Sequence, residues 1–154
     1  MTTTATTATQ ATSRGRLLIE PHRSGLVLVL CVVGAGLAIA SGAIHLQLWN
    51  QYYRHITVGH MNTLFLAQWI LCFVGAAALL VMRNLLAVVA NAGLLAGTFI
   101  GFLIAKYHGG GLFGFAIPGL NSWQSQWTTV VEVVGTLTLL ATAVLMVRQS
   151  QRRS

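Results

Sequence analysis

Hydrophobic residues in this chain are gathered into four long runs, which polar and glycine-rich stretches separate. Each run has about 18 residues or more, and a helix of that length crosses the hydrocarbon core of a bilayer. In lipid the backbone must form its hydrogen bonds internally, which favours helices over isolated strands. The pattern predicts helices at about Gly25 to Ile44, Asn62 to Met82, Leu85 to Ala105 and Trp127 to Val147. The predicted fold class is therefore all-α, a four-transmembrane-helix bundle.

Polar segments at both ends lie outside this membrane domain, which we place at residues 24–147. Residues 1–23 begin with a Thr- and Ala-rich stretch that has no hydrophobic period, and this composition predicts a disordered tail. Residues 148–154 form a short basic tail. Both tails are expected to be solvated.

Lysine and arginine lie mostly on one side of the predicted membrane. The two tails and the Arg83 turn hold seven of the nine, and only Arg54 and Lys106 lie at the opposite helix ends. Positive residues are enriched on the cytoplasmic side of membrane proteins. This distribution predicts cytoplasmic N and C termini in a multi-pass protein of the plasma membrane.

The first hydrophobic run has two interpretations. A basic flank, a hydrophobic core and the sequence Ala38-Ile39-Ala40 are also typical of a cleaved signal peptide. An uncleaved anchor is favoured because the hydrophobic run continues beyond that site to Ile44. Small residues also share one face of the predicted helix, as in helices that pack closely in lipid. They are Gly34, Ala38, Ser41 and Gly42.

The composition excludes an ordinary soluble domain. Hydrophobic residues make up 55% of the chain and charged residues 7%, with a mean hydropathy of +0.73, whereas soluble domains have about 25% charged residues. The net charge of +7 comes from residues scattered at helix ends, without the basic stripe that nucleic-acid binding needs. Cys31 and Cys72 lie within hydrophobic runs and lack C-x-x-C spacing, so we expect buried, unreactive thiols.

Gly93, Gly97 and Gly101 recur at every fourth position along the third predicted helix. This spacing lets helix backbones approach closely in lipid. The contact would lie within the bundle, which is favoured, or between two copies of the chain. The implied partners are the lipid bilayer and a membrane-protein complex or homodimer, and nucleic acid is not expected.

Glu132 is the residue of clearest chemical interest, because it is one of two acidic residues in the chain and lies within a predicted helix. A carboxyl group there costs about a few kcal/mol or more and usually faces the bundle interior with a partner. At 1.5 Å per residue it lies about 6 Å inside the outer boundary, close to the depth of His45, Ser41 and Gln68. We predict a polar site of these four residues. If Arg54 or Lys106 extends into it from above, the site is a salt-bridged clamp with an ionised Glu132; if neither does, a protonated Glu132 hydrogen-bonded to neutral His45 is expected.

Three functions fit such a site, and a purely structural polar clamp is the simplest alternative to all of them. We favour a non-enzymatic accessory or binding component, because the sequence has no G-x-S-x-G, H-E-x-x-H or phosphate-loop motif. A small proton-coupled or small-molecule transporter is the alternative, because a His–Glu pair can hold one proton between its members. The third is a haem- or metal-binding redox membrane protein.

No cofactor is predicted, although histidines are ligands for both transition metals and haem. The candidate metal ligands are His45, His60, His108 and Glu132. No two histidines have the i,i+4 spacing of a helical metal site, and only His45 lies near a helix interior. A metal or haem function is therefore the least favoured of the three.

A sequence pattern is carried by three segments, 43–49 (AIHLQLW), 53–56 (YRHI) and 111–115 (GLFGF), together with Gly59, Leu64-Phe65 and Glu132. This pattern resembles small four-helix integral membrane proteins of unknown function that are common in actinobacteria. It departs after Phe115, where a polar or acidic residue is expected and Ala116-Ile117-Pro118 stands. The resemblance implies the same fold and topology and makes His45, Arg54 and Glu132 candidates for a shared site. It implies no reaction.

Overall fold

The computed structural model of the protein describes residues 18–114, 116 and 123–152, and this part of the chain is helical without β-strands. Four helices within it are long and apolar enough to cross a membrane. They are α1 (Gly25–Leu48), α2 (Met61–Met82), α3 (Leu85–Tyr107) and α4 (Trp123–Gln151). A π-helical turn (Trp49–Tyr53) and a 3₁₀ turn (Val58–His60) connect α1 to α2. The structure confirms the all-α class and the four membrane-length helices.

The helices run up and down, so the bundle has two distinct ends. At the end called here the termini end, α1 begins, α2 turns into α3 and α4 finishes. The backbone N–H of His22 donates to the carbonyl of Arg83 at 2.9 Å, and Gln149 Nε2 lies 3.4 Å from Ser24 Oγ. The opposite end, the loop end, carries the connections from α1 to α2 and from α3 to α4. The core of small and aliphatic side chains runs between them.

Small residues on α1 set how closely its neighbours approach, as the sequence predicts. A Cβ added at Gly42 would lie 2.9 Å from Cys72 Cβ on α2, and one at Gly34 would overlap the side chain of Leu139 on α4. Ala38 and Ser41 on the same face are fully buried. Because α1 lacks bulk there, it packs closely against both α2 and α4.

The glycines of α3 do not make the helix contact within the bundle that their spacing predicts. A Cβ at Gly93 or Gly97 would meet no described atom within 4 Å, and at Gly101 the nearest atom is Leu112 Cδ2, 3.5 Å away. The close approach of α2 and α3 lies elsewhere, where Gly75 faces the side chain of Asn91. These two helices converge at their two-residue connection and pack less extensively than the other neighbouring pairs. The part of α3 that carries Gly93 and Gly97 therefore borders open space.

Helix boundaries differ from the hydrophobic runs mainly at the ends. α1 is continuous through Ala38-Ile39-Ala40 and beyond Ile44, and α4 continues past Val147 into the predicted basic tail. Hydrophobicity marks the part of a helix that crosses lipid, whereas backbone hydrogen bonds continue into the interface. In the predicted disordered N-terminal segment, the carbonyl of Ile19 accepts from Asn84 Nδ2 at 3.1 Å. The chain thus contacts the α2–α3 turn before α1 begins. Residues 1–17 of the predicted tail lie outside the described residues.

Candidate functional site

Glu132 lies on α4 near the loop end, and its side chain is fully buried. Ser41 Oγ on α1 donates to Glu132 Oε1 at 3.2 Å, and His45 Nε2, one helical turn further along α1, lies 3.9 Å from the same oxygen. Glu132 Oε2 is also buried and has no hydrogen-bond partner among the described residues. The structure therefore brings His45, Ser41 and Glu132 together and leaves Glu132 Oε2 without a hydrogen-bond partner among the described residues.

The hydrogen bond on the far side of the imidazole defines the tautomer of His45. Its Nδ1 lies 2.9 Å from the backbone carbonyl of Ser41, which can only accept, so Nδ1 carries a proton. In the neutral ring Nε2 is consequently an acceptor, and it lies on the side of Glu132. A proton held by the pair is then either on the Glu132 carboxyl or on His45 Nε2. Both arrangements have zero net charge.

No lysine or arginine forms an ion pair with Glu132 in the described part of the chain. Arg54, predicted to reach this site, is exposed on the turn after α1. The Lys106 ammonium lies 5.6 Å from the ring centre of Phe102 and 5.4 Å from that of Tyr107. His45 is thus the basic group beside the buried acid. Of the two predicted arrangements, the one in which an outer cation reaches Glu132 is not observed among the described residues.

Gln68 of α2 is buried at the same level, and its Nε2 donates to Cys72 Sγ at 3.3 Å. Its side chain lines the same cavity as His45 and Glu132 without a hydrogen bond to either. Cys31 and Cys72 are both buried and not disulfide-bonded. The amide of Gln68 therefore contributes polarity to the cavity wall.

A cavity of about 370 Å³ lies at the loop end between the four helices. Besides the phenol of Tyr53, its polar wall comes from six residues, namely His45, Gln68, Thr98, Ser125, Thr128 and Glu132. The remaining wall is almost entirely apolar, with Leu112 of the α3–α4 loop closing one end. Three lining residues, Leu64, Gly93 and Gly97, are exposed, and they place the mouth between α2 and α3. Both helices are long and apolar enough to cross a membrane, so lipid would lie against this opening in a bilayer.

Aromatic rings form one side of the cavity. Phe65 stacks on Tyr53, with ring centres 4.2 Å apart, and lies 5.2 Å from the His45 imidazole. Sequence analysis assigned neither Tyr53 nor Phe65 to this wall. The available signal is that Phe65 precedes Gln68 by three residues, which puts both on one face of α2.

The π-helical turn explains how Tyr53 comes to lie inside. The backbone N–H of Arg54 bonds to the carbonyl of Trp49 at 2.9 Å, five residues back. In a regular α-helix, eight residues from His45 to Tyr53 would leave their side chains about 80° apart around the axis. One extra residue in the turn reduces this to about 20°. Tyr53 is therefore buried, 7% exposed, while neighbouring Tyr52 is 61% exposed.

The remaining candidate metal ligands are not gathered at this site. In the described part of the chain, no group of three or more His, Cys, Asp or Glu side chains is placed to hold a metal ion. His60 and His108 lie in the connections at the loop end and are exposed. His22 and His55 also lie outside the four long helices. Ligation of haem by histidines on two facing long helices is therefore not offered by the described residues.

No known protein family, curated protein or solved structure matches this chain. The resemblance to small actinobacterial membrane proteins therefore stays a prediction, and the function must be argued from the cavity and the residues that line it.

Proposed function

We propose that the protein is a non-enzymatic binding component of the plasma membrane whose loop-end cavity holds a small, mostly apolar molecule. One observation carries this proposal: Glu132, a buried carboxyl in the cavity wall, has an oxygen with no hydrogen-bond partner among the described residues. A buried acceptor without a partner costs about 1–3 kcal/mol. A ligand with a positively charged or hydrogen-bonding group at that oxygen would offset that cost.

The size and wall of the cavity support the same function. Ligand sites are typically about 300–1,000 Å³, mainly apolar and provided with a few polar groups that orient the ligand. An apolar cavity of about 150 Å³ already binds benzene. The volume of about 370 Å³ therefore suits a single aromatic ring or a branched aliphatic group with one polar substituent.

The orientation of the chain is part of the proposal. Lysine and arginine are concentrated near the termini end, which supports cytoplasmic termini. The cavity then lies in the outer leaflet, with its mouth toward lipid. Such a position favours a molecule that partitions into the membrane over a strictly water-soluble one.

Gly97→Leu tests the binding function directly, because Gly97 lines the cavity and a Cβ added there would meet no described atom within 4 Å, which leaves room for a larger side chain to occupy the cavity. The matched control is Gly36→Leu, also at an exposed helical glycine with no described atom within 4 Å of its Cβ, but outside the cavity. We expect neopentylbenzene binding to weaken about tenfold or more in Gly97→Leu, since about 1.4 kcal/mol of contact is tenfold in affinity. Gly36→Leu should bind as the unsubstituted chain does.

The measurement is scintillation-proximity binding of tritiated neopentylbenzene to protein in nanodiscs, with empty nanodiscs subtracted. Equal binding in both variants would contradict a ligand site at this cavity. Size-exclusion chromatography of both variants is the companion measurement. If Gly97→Leu instead changes the oligomeric state, the α3 glycines form an interface between two copies.

A proton-coupled transporter is the second candidate, favoured by the His45–Glu132 pair beside the cavity. It predicts accumulation of a substrate in proteoliposomes when a pH gradient is imposed. Loss of that accumulation in Glu132→Gln, with binding of neopentylbenzene intact, would distinguish transport from binding alone.

A further inference from the structure

We propose that the ligand of this cavity is an apolar monovalent cation, and that its binding releases the one proton held between His45 and Glu132. The inference rests on the proposed binding function and specifies the chemical class of the ligand. It follows from the charges that border the cavity and from the cost of net charge inside a membrane.

The cavity wall has an acid and no strong base. Glu132 and His45 are the lining residues that can carry charge near neutral pH, and no described lining residue is a lysine or an arginine. A bound anion would lie beside the carboxyl group without a compensating cation, which an apolar site disfavours. A bound cation would lie beside a group able to become a carboxylate. The negative charge that Glu132 can carry in the cavity wall therefore favours positively charged ligands.

The groups that face Glu132 come from every neighbouring helix. α1 presents Ser41 and His45, α2 presents Gln68 and Cys72, and α4 itself presents Ser125 and Thr128. α3 contributes one hydroxyl, that of Thr98, and no acidic or basic side chain to the wall. Lys106 lies beside the Phe102 and Tyr107 rings. Within this set, Glu132 and His45 are the pair that exchanges a proton near neutral pH.

Charge balance gives the stoichiometry. Before binding, the pair and its proton have zero net charge. A monovalent cation added to that state would leave one uncompensated positive charge in a low-dielectric site, at an effective cost of about several kcal/mol. If the O–H bond of Glu132, or the Nε2–H bond of a His45 imidazolium, breaks and the proton leaves to water, the charge returns to zero. The carboxylate then neutralises the ligand, and neutral His45 remains.

The aromatic wall fits such a ligand. A cation is attracted to aromatic rings by about 0.5–2 kcal/mol, most strongly when desolvated. Tyr53, Phe65 and Phe102 all line the cavity. An aryl-substituted quaternary ammonium ion would place its charge toward Glu132 and its ring among these side chains.

The experiment compares benzyltrimethylammonium with neopentylbenzene, its neutral isostere, on the full chain in nanodiscs. The ammonium ion has no exchangeable proton, so any pH dependence belongs to the protein. We expect its affinity to rise with pH, by up to about tenfold per pH unit over the range in which the unliganded pair still holds its proton. Calorimetry in two buffers of different ionisation enthalpy should show one proton released per ion bound. Neopentylbenzene should bind without pH dependence or proton release.

Glu132→Gln supplies the second readout, and Glu20→Gln is its matched control, because Glu20 is the other acid of the chain and is exposed before α1. Glu132→Gln should weaken benzyltrimethylammonium about tenfold or more and abolish its pH dependence. Glu20→Gln should change neither the affinity nor the pH dependence. Circular dichroism and size-exclusion chromatography show that both variants are folded.

The outcomes separate this inference from the proposed function. If both probes bind with equal affinity and no proton is released, the cation-for-proton exchange is wrong and the binding function stands. If Glu132→Gln leaves the pH dependence unchanged, the inference is likewise overturned. If neither probe binds the unsubstituted chain, both proposals fail, and Glu132 is a structural clamp.

Discussion

The termini half and the loop half of this bundle contain similar residues arranged with different consequences. In the termini half, Gly75 lies so close to Asn91 that a Cβ would overlap its side chain. Toward the loop end, Gly97 of α3 has no described atom within 4 Å of where a Cβ would be. Between α2 and α3, the same residue type thus permits a close contact in one half and borders open space in the other. Helix convergence at a short connection, rather than glycine spacing, decides which result occurs.

Buried polar groups follow the same division. Asn91 Nδ2 donates to the carbonyls of Gly75 at 3.2 Å and Ala87 at 2.9 Å, which ties α3 to α2. In the loop half the Glu132 carboxyl has one hydrogen-bond donor, Ser41, and its Oε2 has no partner among the described residues. Polar groups in the first region hold helices together, whereas those in the second border a space.

The largest expected effect comes from placing leucine at one glycine of each half. Gly75→Leu should lower the free energy of unfolding by about 3 kcal/mol, because the added side chain displaces Asn91 and breaks its bond to α2. Gly97→Leu should leave stability unchanged or raise it by up to about 1 kcal/mol, since leucine has the higher helix propensity. Reversible unfolding in mixed detergent micelles, followed by circular dichroism, measures both.

Equal destabilisation by the two variants would remove the distinction between a closed and an open half. A loss of stability confined to Gly97→Leu would reverse it. Gly36→Leu on α1 gives the baseline for leucine at an exposed helical glycine.

An intermediate effect is expected where helices begin. Asn84 is 1% exposed, and its Oδ1 accepts from the backbone N–H of Ala87 at 2.9 Å at the start of α3. Its Nδ2 also bonds to Ile19. Asn84→Ala should therefore lower the free energy of unfolding by about 1–2 kcal/mol.

Asn62 at the start of α2 provides the control at the loop end. Its Oδ1 accepts from Thr63 in an exposed contact, so Asn62→Ala should cost about 0.5 kcal/mol or less. The same unfolding assay applies to both. A cost at Asn62 that equals the one at Asn84 would show that the loop end is held as firmly as the termini end.

The smallest effect concerns the backbone at the loop end. His60, before the first residue of α2, has a φ of 56° and no side-chain cap hydrogen bond. Asparagine adopts this left-handed conformation more readily than histidine, so His60→Asn should raise stability by about 0.5 kcal/mol or less. His55→Asn, at a residue without positive φ, should not. A fall in thermal midpoint for His60→Asn alone would indicate that the imidazole makes a contact worth more than the strain.

Hydrophobic runs were sufficient to predict the helices, because a bilayer imposes both their length and their internal hydrogen bonding. They also indicated the meeting of His45, Ser41 and Glu132, since depth along a helix and facing direction follow from 1.5 Å and 100° per residue. The same arithmetic placed Gln68 at that level, where it lines the cavity but bonds to Cys72.

The cavity itself could not be predicted in this way. It depends on α2 and α3 diverging from a two-residue connection, which no local pattern encodes. Tyr53 could not be placed at the cavity wall from the sequence, because a continuous α-helix would turn it away from His45 and the π-helical turn that brings it inward leaves no periodic signal. The favoured contact of the α3 glycines within the bundle is not found, because their spacing indicates only that a close approach is sterically allowed.

The sideways mouth of the cavity is bordered by Leu64, Gly93 and Gly97. For the proposed ligand, this position means that the relevant concentration is the one in the membrane. Occupancy responds to the amount dissolved in the surrounding lipid, so two compounds with identical contacts but about tenfold different membrane partitioning would differ about tenfold in apparent affinity measured against the aqueous phase. Adding lipid at a constant total amount of ligand lowers the concentration of ligand in the membrane. The occupancy of the cavity then falls, although nothing in the cavity has changed.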